Sequence, residues 1–113
     1  MNKRISREFG FIDYIYVKNK KYPNGLIIGN GAYVNKEFRC QGKLKKLLAI
    51  LFELYPDETI LQYAIKNKKL ISMFKRLNFK KVTSIEYWGN PSNTVVMQGK
   101  IYPNIIEDLK NIK

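Results

Sequence analysis

The sequence predicts an α+β fold: a mixed, mostly antiparallel sheet with two main helices and a short C-terminal helix. Three observations predict it. Apolar residues recur at three- and four-residue spacing in two separate stretches, Leu44 to Tyr55 and Leu70 to Leu77, as in helices with one buried face. β-branched and aromatic runs flank those stretches, at Phe9 to Val17, Leu26 to Val34, Thr59 to Ile65 and from Phe79 onward. Turn residues between apolar runs, at Pro23-Asn24-Gly25 and across Gly89 to Asn93, mark hairpins.

In chain order, residues 1–8 are polar and basic, a loose arm or the start of a strand. Phe9 to Val17 is the first clear strand, and Leu26 to Val34 is its hairpin partner. Gly29 and Gly31 interrupt that partner, which predicts a bulge or a close backbone approach. A helix runs from about Gly42 to Tyr55 and is stopped by Pro56-Asp57-Glu58. Thr59 to Ile65 is a third strand, joined to the second through a helix and so expected parallel to it. Asn67 suits the N-cap of a second helix, Lys68 to Leu77, and Asn78 suits the left-handed residue at its end. Phe79 to Trp88 and Thr94 to Tyr102 read as a hairpin, and Pro103 opens a helix carrying Ile105, Ile106 and Leu109. The 113 residues suit one domain with one core.

Composition limits the chemistry. A hydrophobic share of 45% argues for a folded protein, and a net charge of +12 points to anionic partners. Lys, Asn, Ile and Tyr are abundant together, so compositional drift is the competing source of that charge. The longest apolar run, Leu47 to Phe52, is too short to span a membrane, and no apolar stretch follows the basic Met1 to Arg4 as a secretory signal would require. The lone Cys40 fits a reducing compartment, and the expectation is a cytoplasmic protein. The sequence has no histidine, which excludes Ser-His-Asp and Cys-His catalysis and leaves no zinc constellation.

One stretch draws these readings together. An apolar run ends at Val34, a turn with Gly42 follows, and a helix begins: the arrangement that builds an anion site from backbone N–H groups. Lys43, Lys45 and Lys46 sit in the helix start, where each cation opposes the helix dipole by about 0.3–1 kcal/mol. A bound anion reverses that cost; the other reading is a lysine-rich chain with lysine everywhere. Elsewhere, Lys66, Lys68, Lys69, Lys75, Arg76, Lys80 and Lys81 cluster around the second helix near Tyr63, Phe79, Tyr87 and Trp88. They form either a nucleic-acid surface or a solvated lysine face. Asp13 and Glu86 are strand carboxylates able to take a proton from an amine, or solvated side chains.

The order of elements, with two of its stretches, resembles the GNAT (GCN5-related N-acetyltransferase) family over about residues 9–102. Arg39-Cys40-Gln41-Gly42-Lys43-Leu44 is similar to the family's acyl-CoA pyrophosphate loop, Arg/Gln-x-x-Gly-x-Gly/Ala, and departs from it at Leu44. Asn67, Phe74 and Phe79 fall in the register of the family's asparagine, tyrosine and Gly-Phe, with Asn78 in the glycine position. The resemblance implies a parallel strand pair that splays apart and acetyl-CoA, or another short acyl-CoA, as cofactor. It implies that the backbone of Arg39 to Leu44 cradles the pyrophosphate, that Tyr33 and Val34 pair with the pantetheine arm, and that Asn67 also contacts the cofactor. Phe74 occupies the position of the usual acid and has no proton to give, which makes Tyr63 the candidate substitute. The family's opening strand and helical segment are expected to be missing, which suits a macromolecular amine acceptor. Three functions follow: direct acetyl transfer to a protein lysine or N-terminus; a nucleic-acid-binding or base-modifying protein on the same scaffold, as in a phage branch of similar fold; and a degenerate fold kept for protein interaction or inhibition. An oligomer is compatible with each.

Overall fold

Alternation along each strand decides which side of the sheet a residue faces, and here it divides the core in two. The structure is a computed structural model and describes residues 2–86 and 94–112. Six strands form one sheet: β1 (Asn2–Arg7), β2 (Gly10–Val17), β3 (Leu26–Val34), β4 (Ile60–Ile65), β5 (Lys80–Val82) and β6 (Val95–Lys100), in the order β1-β2-β3-β4-β6-β5. Every neighbouring pair is antiparallel except β3 and β4, which are parallel. The helices are α1 (Lys43–Leu54), α2 (Lys68–Arg76) and α3 (Ile105–Asn111), and one 3-10 turn covers Lys36–Phe38. The sequence-based strand Leu26 to Val34 and the parallel pairing are both present.

The larger core lies on the helix side of the sheet. Ile12, Tyr14, Ile27, Leu61, Tyr63 and Ile65 project from the strands and meet Leu47, Leu48, Leu51 and Phe52 of α1, Met73 and Phe74 of α2, and Ile105 and Leu109 of α3. On the other side Leu26, Ile28 and Val96 pack with Tyr22 and Ile85 from the connecting segments. A polar chain ties that second layer down. The Gln62 amide donates to Gln98 at 2.8 Å, its oxygen accepts from the Glu86 backbone at 2.8 Å, and the Glu86 carboxylate takes Lys21 and Tyr22.

Residues Asn2–Arg7 resolve the first ambiguity: they are a strand, paired along β2 from Asn2↔Ile15 to Arg7↔Gly10. As an edge strand β1 buries only Ile5, so its sequence could stay polar. Of the expected strand Phe79 to Trp88, Lys80–Val82 pairs with β6 as a strand among the described residues, while Tyr87, Trp88 and the Gly89 to Asn93 turn lie outside them.

Both main helices end for local reasons. Tyr55 stands before Pro56 at φ −124°, ψ 147°, the extended geometry that proline imposes on its predecessor. At the end of α2, Asn78 takes φ 66°, its amide donates to the Lys75 carbonyl at 3.1 Å, and the Phe79 amide donates to the Phe74 carbonyl at 3.0 Å. That is a Schellman turn, completed by the apolar contact between Phe74 and Phe79, with ring centroids 4.9 Å apart. Tyr63 continues the row at 5.9 Å from Phe74.

Glycines make room at both ends of this three-ring stack. A Cβ on Gly29 would stand 2.3 Å from the Tyr63 ring, and one on Gly99 would stand 2.3 Å from Phe79. Gly99→Ala is therefore expected to lose about 1–3 kcal/mol in urea unfolding through overpacking. Asn78→Gly, at a left-handed position glycine adopts freely, is expected to lose nothing.

Candidate active site

Parallel strands β3 and β4 pair only at their beginnings. The ladder runs from Leu26↔Ile60 to Gly29↔Tyr63 and stops there. Beyond that point β3 stays with β2 as far as Val34↔Gly10, and β4 stays with β6 as far as Ile65↔Val95. The break coincides with the bulge expected from Gly29 and Gly31. Register on β2 passes from Asp13↔Gly31 to Tyr14↔Gly29, which leaves Asn30 without a partner there. The two carboxyl ends thus separate, and each leads into a helix N-terminus.

The end of β3 leads into the loop before α1. Arg39 is exposed, and its Nε donates to the Val34 carbonyl at 3.0 Å. Gln41 Nε2 donates to the Glu37 carbonyl at 3.0 Å. Cys40 at φ 65° and Gly42 at φ 71° bracket Gln41 with two left-handed residues. Among the described residues no acceptor takes the amides of Cys40, Gln41 or Gly42, and no side chain caps α1. The first turn holds no acid. Lys46 stands close enough to lower the Lys43 ammonium from its ordinary value, with desolvation adding to the effect. Unpaired amides and clustered lysines, which Glu8 offsets only in part, fit an anionic group at this place.

The end of β4 leads into α2. Asn67 caps it by accepting from the Lys69 and Leu70 amides at 2.8 and 3.2 Å. Between the two helix starts lies a groove of about 260 Å³ lined by Leu44, Lys45, Asn67, Lys69, Leu70, Met73 and Ile112. Leu44 both lines it and packs on the larger core. Lys45 Nζ donates to the Ile112 carbonyl at its rim.

Solved structures share this fold. The chain matches a Klebsiella pneumoniae protein assigned as an acyl-CoA N-acyltransferase at a TM-score of 0.60 and 16% identity, covering 83% of this chain and 64% of that one. It matches an aminoglycoside N(6')-acetyltransferase of Legionella pneumophila at 0.56 and 15%, covering 90% and 59%. It matches Arabidopsis thaliana NAA60, solved with a bisubstrate analogue, at 0.53 and 18%, covering 83% and 63%.

The fold is the GNAT fold.

At these identities the likeness is one of fold, and the chain spans less than two thirds of each of these proteins. No family model matches the sequence, and no curated protein does at a significant level.

Within the GNAT fold the remaining candidates fall as follows. Phe74 is fully buried at the centre of the ring stack. Tyr63 lies beside it, 6% exposed, and burial followed by the Asp13 charge pushes its hydroxyl up to about 12. Tyr33 is exposed and Val34 half-buried at the end of β3. Asp13 is taken by a two-point contact with Arg4, and that hydrogen bond holds its carboxyl below the usual value. Glu86 is held low in the same way, first by Lys21 and then by Tyr22. Lys66, Lys68, Lys69, Lys75, Arg76, Lys80 and Lys81 are all exposed, whereas Tyr63 and Phe79 beside them are core residues. Tyr87 and Trp88, expected in that cluster, lie outside the described residues. Among the described residues no group of three metal-ligating side chains occurs, and no helix is long and apolar enough to cross a membrane.

Sequence reasoning missed the Arg4–Asp13 pair. Its signal was the strand register, which a polar segment of uncertain class did not reveal.

The buried hydroxyl makes a pH prediction. Tyr63 keeps its proton up to about pH 12, whereas in the unfolded chain it ionises near pH 10. Unfolding then releases a proton inside that window, so stability falls as pH rises through it, by about 3 kcal/mol from this residue. Tyr63→Phe should make the decline of denaturation midpoint between those two pH values shallower by that share, with Tyr55 and Tyr102, also raised by burial, sustaining the rest.

Proposed function

We propose that this chain is an acetyl-CoA-dependent N-acetyltransferase that transfers the acyl group directly to an amine of a macromolecule, a protein lysine or N-terminus. One observation carries the reading: the interrupted β3–β4 ladder, the partnerless amides of Cys40 to Gly42 and the Asn67-capped start of α2 all meet at the carboxyl ends of the two central strands. The aminoglycoside acetyltransferase and NAA60 share that fold and, by their descriptions, work on amines or bind a bisubstrate analogue.

Acetyl-CoA would supply the thioester that an amine attacks. The residues that would hold it are Arg39 to Leu44 at the pyrophosphate, Tyr33 and Val34 along the pantetheine arm, and Asn67 across the groove. Their contribution is positioning, together with backbone dipoles aimed at developing charge. Phe74 supplies no proton, and Tyr63 holds its own more tightly than an ordinary tyrosine. The transfer therefore depends on binding and orientation, with the thiolate protonated from Tyr63 or from water. General acid catalysis contributes about 10²–10⁴-fold, so a slow enzyme is expected.

A nucleic-acid-directed role on the same scaffold is the second reading. The net charge of +12 and the seven exposed cations around α2 favour it. It requires DNA affinity that falls steeply with salt.

Calorimetry with acetyl-CoA and with desulfo-CoA is the direct test. Both are expected to bind in the micromolar range, and acetylated peptide lysines or N-termini should accumulate slowly in mass spectra. Absence of heat with either ligand at high micromolar concentration would remove the enzyme reading. Binding without turnover would leave a degenerate acyltransferase fold.

A further inference from the structure

An unbroken row of side chains crosses the helix-free face of β1, β2 and β3 and ends at the loop. It begins at Asp13, whose Oδ1 and Oδ2 accept from Arg4 Nε and Nη2 at 2.6 and 2.9 Å. The Arg4 guanidinium lies 3.9 Å above the Phe11 ring. Phe11 stacks on Tyr33, centroids 5.8 Å apart and planes 29° apart, as their pairing across β2 and β3 requires. The Arg39 guanidinium lies 5.5 Å from the Tyr33 ring centre and gives its Nε hydrogen to Val34.

Two facts make this row more than surface decoration. Tyr33 is 44% exposed, with Leu54 one of two large hydrophobic residues left in solvent among the described residues, so burial does not explain it. Arg39 has no carboxylate partner among the described residues, and its contact with Val34 uses Nε and leaves both Nη groups open. A guanidinium fixed at Nε and on one ring face presents its remaining fork in one direction, the geometry that recognises phosphate at two points. It lies in the loop whose amides lack partners.

We propose that Tyr33, backed by Phe11, Arg4 and Asp13, is the positioning residue for Arg39, and that it aims the free Nη groups of Arg39 at the pyrophosphate site that the acetyltransferase reading already gives this loop. The second half rests on the acetyltransferase reading; the first half does not. Lys43 has its own support, with Nζ 5.2 and 5.9 Å from the Phe9 and Phe38 rings, so loss of Tyr33 leaves the neighbouring cation in place.

Two measurements test the halves separately. In the free protein, ¹⁵N relaxation of the Arg39 Nε–H should show a restrained guanidinium in the parent and in Tyr33→Phe, and an averaged one in Tyr33→Leu. Equal mobility in all three overturns the positioning half. In calorimetry with CoA, Arg39→Ala should weaken binding about 10–100-fold, as loss of a charge-assisted contact does. Tyr33→Leu should weaken it about 2–5-fold, the scale of an exposed cation–π contact, and Tyr33→Phe should restore it. In the Arg39→Ala background, Tyr33→Leu should add nothing. Additive losses, or an Arg39→Ala protein that binds CoA like the parent, overturn the phosphate half while the acetyltransferase reading stands. A parent protein that binds no CoA removes that reading and the phosphate half with it, and leaves the relaxation result to decide the rest.

Discussion

The structure depends on a ladder that stops. Parallel strands normally exchange hydrogen bonds along their whole overlap, and β3 and β4 do so only to Gly29↔Tyr63. The stop has a steric and a topological cause. Tyr63 lays its ring against Gly29, which has no side chain to resist it, and the Asn30 bulge then turns β3 to follow β2. β4 stays with β6 instead. Each strand keeps its outer neighbour and loses its inner one, so backbone donors and acceptors on facing strands open toward a wedge. Buried polar groups of that kind demand partners; in an opening between two central strands they are available to a ligand.

That wedge decides where the helices begin. A helix that follows a parallel strand starts at the strand's carboxyl end, so the separated ends of β3 and β4 place the starts of α1 and α2 on either side of one groove. The two starts are treated differently. α2 is capped by Asn67 and is locally satisfied. α1 has no cap, begins with lysines and follows two left-handed residues, one of them Cys40, which carries a side chain where glycine is favoured. Local stability alone does not account for the second arrangement. A sequence that solves the capping problem at Asn67 and leaves it unsolved at Gly42 has its unmet hydrogen-bonding capacity at one place.

Much of this was legible in residues whose partners are close in sequence. Asn67 and Asn78 announced the two ends of α2 because a cap and a left-handed turn are local. Gly29 and Gly31 announced the bulge, and Pro56 announced the end of α1. What remained hidden depends on register. Arg4 meets Asp13 and Phe11 meets Tyr33 only once β1, β2 and β3 are aligned, and β1 itself is masked by its edge position, with Ile5 as its one buried residue. The role of Gly99 was equally invisible, since nothing near it in sequence shows that Phe79 needs the space. Composition left the aromatic residues around α2 open between a stacking surface and the core; Tyr63 and Phe79 are core because their strand and turn positions face it.

The ring stack carries a consequence for chemistry. Tyr63, Phe74 and Phe79 form one apolar column between Gly29 and Gly99, so the position that would hold an acid in the GNAT register is part of the core. A hydroxyl added at Phe74 would enter a site with no exposed surface and would need a hydrogen-bond partner there, at a desolvation cost of about 1–3 kcal/mol if none were found. Loss of an acid removes about 10²–10⁴-fold, or roughly 3–5 kcal/mol of barrier lowering, whereas a well-oriented pair of reactants gains about 7–11 kcal/mol. On the proposed acetyltransferase reading, the larger contribution would come from geometry: the wedge, the loop amides and the two helix starts. The same stack packs β4 against α2, so on that reading stability and proton transfer would compete for the side chain at position 74.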